Sequence, residues 1–98
     1  MDFEWDPKKN ERNIAWRGID FIWAAGIFLG PIVEQIDTRR DYGETRWIAI
    51  GVVEDIELVV VYTWRASRRR IISARKADED ERERYRQVFP DLRKGPSG

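Results

Sequence analysis

Between residues 46 and 75, three β-prone runs are joined by connections too short for anything but hairpins. The runs are residues 46–53, 57–65 and 69–75, separated by Glu54-Asp55 and by a turn at 66–68. The middle run holds Leu58-Val59-Val60-Val61-Tyr62, the β-branched and aromatic composition of a strand flanked on both sides. A parallel return needs a dozen or more residues, so these three strands are antiparallel neighbours with 57–65 in the centre. The rest of the chain has to pack on this meander.

The flanking segments carry their own punctuation. Phe3-Glu4-Trp5 alternates and forms a short first strand. Asp6-Pro7 is an N-cap followed by proline at the first helical position. The helix it starts runs to about Trp16 and stops before Gly18. Its apolar face is thin, and Ile14 with an aromatic neighbour is expected to dock it. Asp20 caps a second helix whose buried stripe is Phe21, Ala24, Ala25, Ile27 and Phe28, ended by Gly30-Pro31. Residues 32–36 suit an edge strand and 37–43 a polar loop. A last helix starts near Asp78, with acids in its first turn and Arg82, Arg84 and Arg86 later, the order the helix dipole favours. Pro90 closes it. The order β-α-α-β-β-β-β-α predicts an α+β fold: an antiparallel sheet packed with two N-terminal helices and one C-terminal helix. The helices are expected on one face, leaving the other for a ligand. Residues 1–90 form one domain in this reading, and 91–98 a flexible tail rich in Pro, Gly and Ser.

Composition narrows the chemistry. The 98 residues include no cysteine and no histidine. Disulfides, thiolate metal sites and the commonest acid/base group near neutral pH are therefore absent. No metal site and no cofactor are expected. No apolar run approaches the roughly 20 residues of a membrane span, and the acidic start lacks a signal peptide's basic region. These features predict a cytoplasmic protein. The net charge of zero conceals an asymmetry. Residues 1–64 hold 7 Lys/Arg and 12 Asp/Glu, whereas residues 65–98 hold 11 and 6. Residues 64–76 contain five Arg, one Lys and no acid, a local patch that points to nucleic acid.

Alternation along strands places the candidate site. Thr63 and Arg65 share one face of their strand, and Ile71, Ser73 and Arg75 share one face of the next. Arg46 begins the strand before. If these faces coincide, Arg46, Arg65 and Arg75 form a guanidinium cluster that grips phosphate bidentately and stabilises charge developing at phosphorus. The alternative is that these arginines pair with Glu44 or Glu81 and only hold the domain together. Glu44, two residues before Arg46, is a general base or an orienting anchor. The anchor is preferred because neighbouring arginines lower a carboxyl pKa. Tyr85 shares a helix face with Glu81 and is either a proton or hydrogen-bond donor or a packing ring. Arg70, Ser73 and Lys76 add phosphate contacts. Trp64, bordering the basic turn, is the best of the tryptophans for base stacking.

Taken together, the motifs resemble the BrnT toxin family. The matching pieces are Phe3-Glu4-Trp5-Asp6-Pro7 with Lys9, and Gly18-Ile19-Asp20-Phe21 after Asn10 or Asn13. Gly43-Glu44-Thr45-Arg46-Trp47, Ile50-Gly51 and Val59-Val60-Val61-Tyr62-Thr63 with Arg65 follow. The most specific piece is Arg70-Ile71-Ile72-Ser73-Ala74-Arg75-Lys76-Ala77, and Glu81-Arg82 with Tyr85 completes the set. The resemblance implies a RelE-like fold and a metal-independent ribonuclease that arrests growth. It also implies a partner, a BrnA-like antitoxin with a ribbon-helix-helix part, so that operator DNA is reached only through the antitoxin. Arg65 and Arg75 would then hold the phosphate, Glu44 would orient, and Tyr85 would support. One position departs: where the family usually reads Lys-His-Gly, this chain has Trp16-Arg17-Gly18. Arg17 cannot act as an ordinary base, but it can hold phosphate or donate to a leaving oxygen. Three readings remain open: an active ribonuclease toxin, a weakened homologue that binds antitoxin and acts in co-repression, or an unrelated nucleic-acid-binding domain, which would require the long motif match to be accidental.

Overall fold

The computed structural model describes residues 2–93. In chain order it contains β1 (Phe3–Trp5), α1 (Pro7–Arg17) and α2 (Phe21–Ala24), which tightens into a 3-10 turn (Ala25–Leu29). These are followed by β2 (Val33–Ile36), β3 (Trp47–Val53), β4 (Ile56–Arg65), β5 (Arg68–Lys76) and α3 (Glu79–Val88). Pro90–Arg93 adds a second 3-10 turn that runs from the end of the expected domain into the segment expected to be a tail; residues 94–98 of that tail lie outside the described residues.

The helix ends form for the reasons the sequence offers. Asp6 accepts from the Lys8 amide with Pro7 at the first helical position, and Gly18 ends α1 with φ 70°. Asp20 caps α2 through the Ile22 amide. At α3 a reciprocal pair satisfies two amides: Asp78 accepts from Glu81 N and Glu81 accepts from Asp78 N, each at 2.8 Å. The expected docking of α1 is corrected. Ile14 is 42% exposed and Trp16 79% exposed, while Asn13 is buried. The Asn13 amide donates to Ile19 O at 2.9 Å and Ala74 O at 3.0 Å, and its oxygen accepts from Ala74 N. A polar side chain thus ties α1 to β5, which explains why no apolar stripe was needed.

The five strands run β1-β5-β4-β3-β2. The sheet is antiparallel from β2 through β5, while β1 lies parallel to β5. A three-residue strand carries no signal of direction; the helical excursion after it decides which edge it joins. Glu54 (φ 50°) and Asp55 (φ 67°) make the tight β3–β4 turn.

A bulge between Val61 and Tyr62 decides which side chains share a face. Val61 pairs with Ser73 and Tyr62 with Ile71, so Ile72 is the extra residue. On one face Leu58, Val60 and Tyr62 join Ile71 and Ala74 in a core with Phe21, Ala24, Ile27 and Phe28. Gly51 lets the 3-10 turn approach, since a Cβ there would meet Ile27 at 2.6 Å. On the other face Val59 and Ile50 pack with Tyr85 of α3. The helices therefore occupy both faces, not one. β4 accounts for this: residues 57–63 are all buried, so it needs cover on each side. The bulge also corrects the expected grouping on β5. Ile71 joins the helix-packed core, and Arg70, opposite Thr63, joins Ser73 and Arg75 on the second face.

Candidate functional site

α3 covers only part of the second face, and beside it lies a cavity of about 300 Å³. Its floor is apolar, with Val33, Ile48, Ile50, Val59 and Val61. Its walls carry four arginines against two glutamates: Arg17 from the last turn of α1, Arg39 from the β2–β3 loop, Arg75 from β5 and Arg84 from α3, with Glu34 and Glu81. Ser73 and Gln35 also line it.

Arg75 Nη1 and Nη2 donate to the two carboxylate oxygens of Glu81, each at 2.7 Å. Nη1 also reaches Lys76 O at 3.3 Å. The end-on fork is thus occupied, and the side-on fork, Nε with the second Nη2 hydrogen, faces no acceptor among the described residues. That edge suits two oxygens of a phosphate. Hydrogen bonding from Arg75 holds the Glu81 carboxyl below its ordinary range against the pull of partial burial, and Glu81 raises Arg75 in turn. Arg39 is fixed in the same way by Asp37, whose side chain is fully buried. Arg39 Nε and Nη2 donate to Asp37 at 2.8 and 2.7 Å, and this contact lowers the Asp37 carboxyl far below its usual range. Arg17 stacks on Trp16, its guanidinium 4.4 Å from the ring centroid.

The expected residues separate into groups. Arg17, Ser73 and Arg75 line this cavity together. Glu44, Arg46 and Arg65 gather at the far end of the same face: Arg46 Nε donates to Glu44 at 3.0 Å, and Arg65 lies 3.9 Å from it. Arg65 is six residues along β4 from Val59, the partner of Arg75, or about 20 Å at ~3.3 Å per residue. The single Arg46/Arg65/Arg75 cluster is therefore corrected to two groups. Arg70 lies between them and bonds Glu4 at 2.7 Å. The pairing with Glu44 and Glu81 foreseen as the alternative is present, alongside an open cavity.

Three expected residues lie elsewhere. Tyr85 is 1% exposed and donates to Pro31 O at 2.9 Å, so its hydroxyl supports the fold beneath the cavity and does not line it. Trp64 stands on the opposite face, half-exposed, edge-on to Tyr62 at 5.9 Å with Arg69 stacked at 4.6 Å. Lys76 is exposed and pairs with Leu58, which also directs it to the first face. Sequence reading missed Arg39, Asp37 and Arg84. Arg84 had a signal, lying three residues after Glu81 on α3. Arg39 and Asp37 sit in an aperiodic loop that offered none.

A model of the BrnT family, described as the ribonuclease toxin of a type II toxin–antitoxin system, matches residues 5–81. Among solved structures, the chain is similar to the Brucella abortus ribonuclease toxin BrnT, determined at 1.1 Å, with a TM-score of 0.62 and 28% identity. That match covers 81% of this chain and 99% of the Brucella chain. No curated protein sequence matches it. With a family model spanning most of its length and a relative of the same fold, the chain belongs to the BrnT family of type II toxin–antitoxin ribonuclease toxins.

Proposed function

We propose that this chain cleaves RNA without a metal, at the cavity rimmed by Arg17, Arg39, Arg75 and Arg84. The observation that carries the reading is four guanidinium groups around one apolar floor, with the side-on edge of Arg75 still available. Fixed cations over a low-dielectric surface stabilise the charge that builds on a phosphorane. The ribose 2′-hydroxyl attacks the adjacent phosphorus and gives its proton to solvent, while the P–O5′ bond breaks and the 5′-oxygen takes a proton from solvent, giving a 2′,3′-cyclic phosphate and a 5′-hydroxyl end. Arg75 and Ser73 hold the phosphate, Glu81 orients Arg75, and Arg17 donates to the leaving oxygen. Arg46, Arg65 and Arg70, with Glu44 as anchor, contact backbone further along the strand. In the cell this activity arrests growth in the cytoplasm until a BrnA-like ribbon-helix-helix antitoxin binds, and operator DNA is reached through that antitoxin.

A second reading is a catalytically weakened homologue that binds antitoxin and acts as a co-repressor. The observation favouring it is that the chain contains no histidine, with Arg17 standing where the resemblance expects one, and that hydrogen bonding from Arg75 lowers the Glu81 carboxyl. Purified chain incubated with RNA in EDTA separates the two. The first reading predicts cyclic-phosphate ends that disappear in Arg75→Ala. The second predicts intact RNA with antitoxin binding retained.

A further inference from the structure

We infer that Asp37 is a positioning residue that fixes Arg39 at the rim of the arginine cavity as a phosphate contact; this rests on the RNA reading of that cavity. Neither residue belongs to a recognisable motif, and both come from the loop between β2 and β3.

The geometry is that of a built anchor. The Asp37 side chain is fully buried, whereas Arg39 is 63% exposed. Every bond made by the carboxylate points at keeping the loop and its arginine in place. Oδ1 accepts from Arg39 N at 3.1 Å and Arg39 Nε at 2.8 Å, and Oδ2 accepts from Arg39 Nη2 at 2.7 Å and from the Tyr42 hydroxyl at 3.0 Å. Asp37 N in turn donates to Arg46 O at 2.8 Å, which ties the loop to the start of β3. A surface ion pair between two exposed side chains leaves an arginine free to swing. Here one partner is buried and doubly bonded, so the guanidinium is held, and Arg39 is among the residues lining the cavity. Arg75 lines the same cavity. Two of the five guanidinium hydrogens serve Asp37, and the remaining N–H groups of an arginine held on a cavity wall can donate to phosphate oxygens. The same Tyr42 ring stacks under Arg46 at 4.1 Å, so the Asp37 anchor also reaches the second arginine group.

The test is binding of a short fluorescein-labelled single-stranded RNA with 2′-fluoro riboses, which lacks the attacking hydroxyl and stays intact. Its affinity is measured across a salt series for the wild type, Arg39→Ala, Asp37→Asn, the double variant and Arg39→Lys. Arg39→Ala is expected to weaken binding roughly tenfold, as for loss of a charged hydrogen bond. It should also lower the slope of log affinity against log salt by about 0.7, one single-strand phosphate contact. Asp37→Asn, which touches no RNA, is expected to lose the same amounts, with the double variant no weaker than either single one. Arg39→Lys keeps the charge but cannot span both carboxylate oxygens, and is expected to bind nearly as weakly as Arg39→Ala. It decides the matter should Asp37→Asn not fold. Full affinity in Arg39→Lys, an unchanged salt slope in Asp37→Asn, or additive losses in the double variant overturn the inference. Arg75→Ala serves as the reference. If it too binds normally, the cavity is not the RNA site; if it fails while Arg39→Ala and Asp37→Asn bind normally, only the role of Asp37 and Arg39 is lost.

Discussion

Arg75 and Glu81 meet fork to fork, with both carboxylate oxygens engaged at 2.7 Å, and the same Glu81 closes the cap of α3 by accepting from Asp78 N. One side chain therefore joins the helix start to the arginine at the cavity. Glu81→Gln keeps an acceptor for the cap and removes the charge that orients Arg75. It should lower RNA cleavage while costing about 1 kcal/mol of stability. Glu81→Ala loses the cap as well and should cost about 1 kcal/mol more. Urea unfolding beside a cleavage assay measures both.

The same pair, with Asp37, sets the acid limit. Both carboxyls are depressed in the folded chain, so their contribution is complete above their ordinary values of 4.5 and 3.8. It is lost as pH falls below those values toward the folded ones, because the unfolded chain takes up protons first. Stability followed from pH 6 downward should hold until about 4.5 and then decline. Glu81→Gln should show a shallower decline.

Asn13 supports the attachment of α1 more than Ile14 does. Replacing Asn13 by Ala strands the buried Ile19 and Ala74 carbonyls and should cost about 3 kcal/mol. Ile14→Ala, at a position 42% exposed, should change stability by less than about 1 kcal/mol. Chemical denaturation of the two variants checks the ranking.

Tyr85→Phe separates a structural hydroxyl from a catalytic one. It removes the bond to Pro31 O and should cost about 1 kcal/mol, with cleavage unchanged once the protein is folded. A fall in turnover at full folding would return Tyr85 to the site.

Much of this fold is legible in the chain because its signals are local. Asp6-Pro7, Asp20 and Asp78 fix three helix starts, and Glu54-Asp55 fixes a hairpin. What stayed hidden is set at long range. Nothing near Ile72 announces a bulge, yet that extra residue moves Ile71 into the core and brings Arg70 to the face of Arg75. Strand alternation alone cannot show that two residues on one face stand far apart along it, which is how Arg65 and Arg75 came to be grouped. Asp37 reads as loop polarity, and its burial follows only from how the loop folds back on Arg39 and Tyr42.

The arginine cavity is proposed to make this chain an active ribonuclease with Arg17 in place. The most direct measurement is growth after inducing the chain without antitoxin, beside Arg75→Ala and Arg17→His versions expressed to the same level. The account predicts that the chain stops growth with loss of bulk RNA, and that Arg75→Ala does not. Growth arrest by Arg17→His alone, or full toxicity of Arg75→Ala, would contradict it.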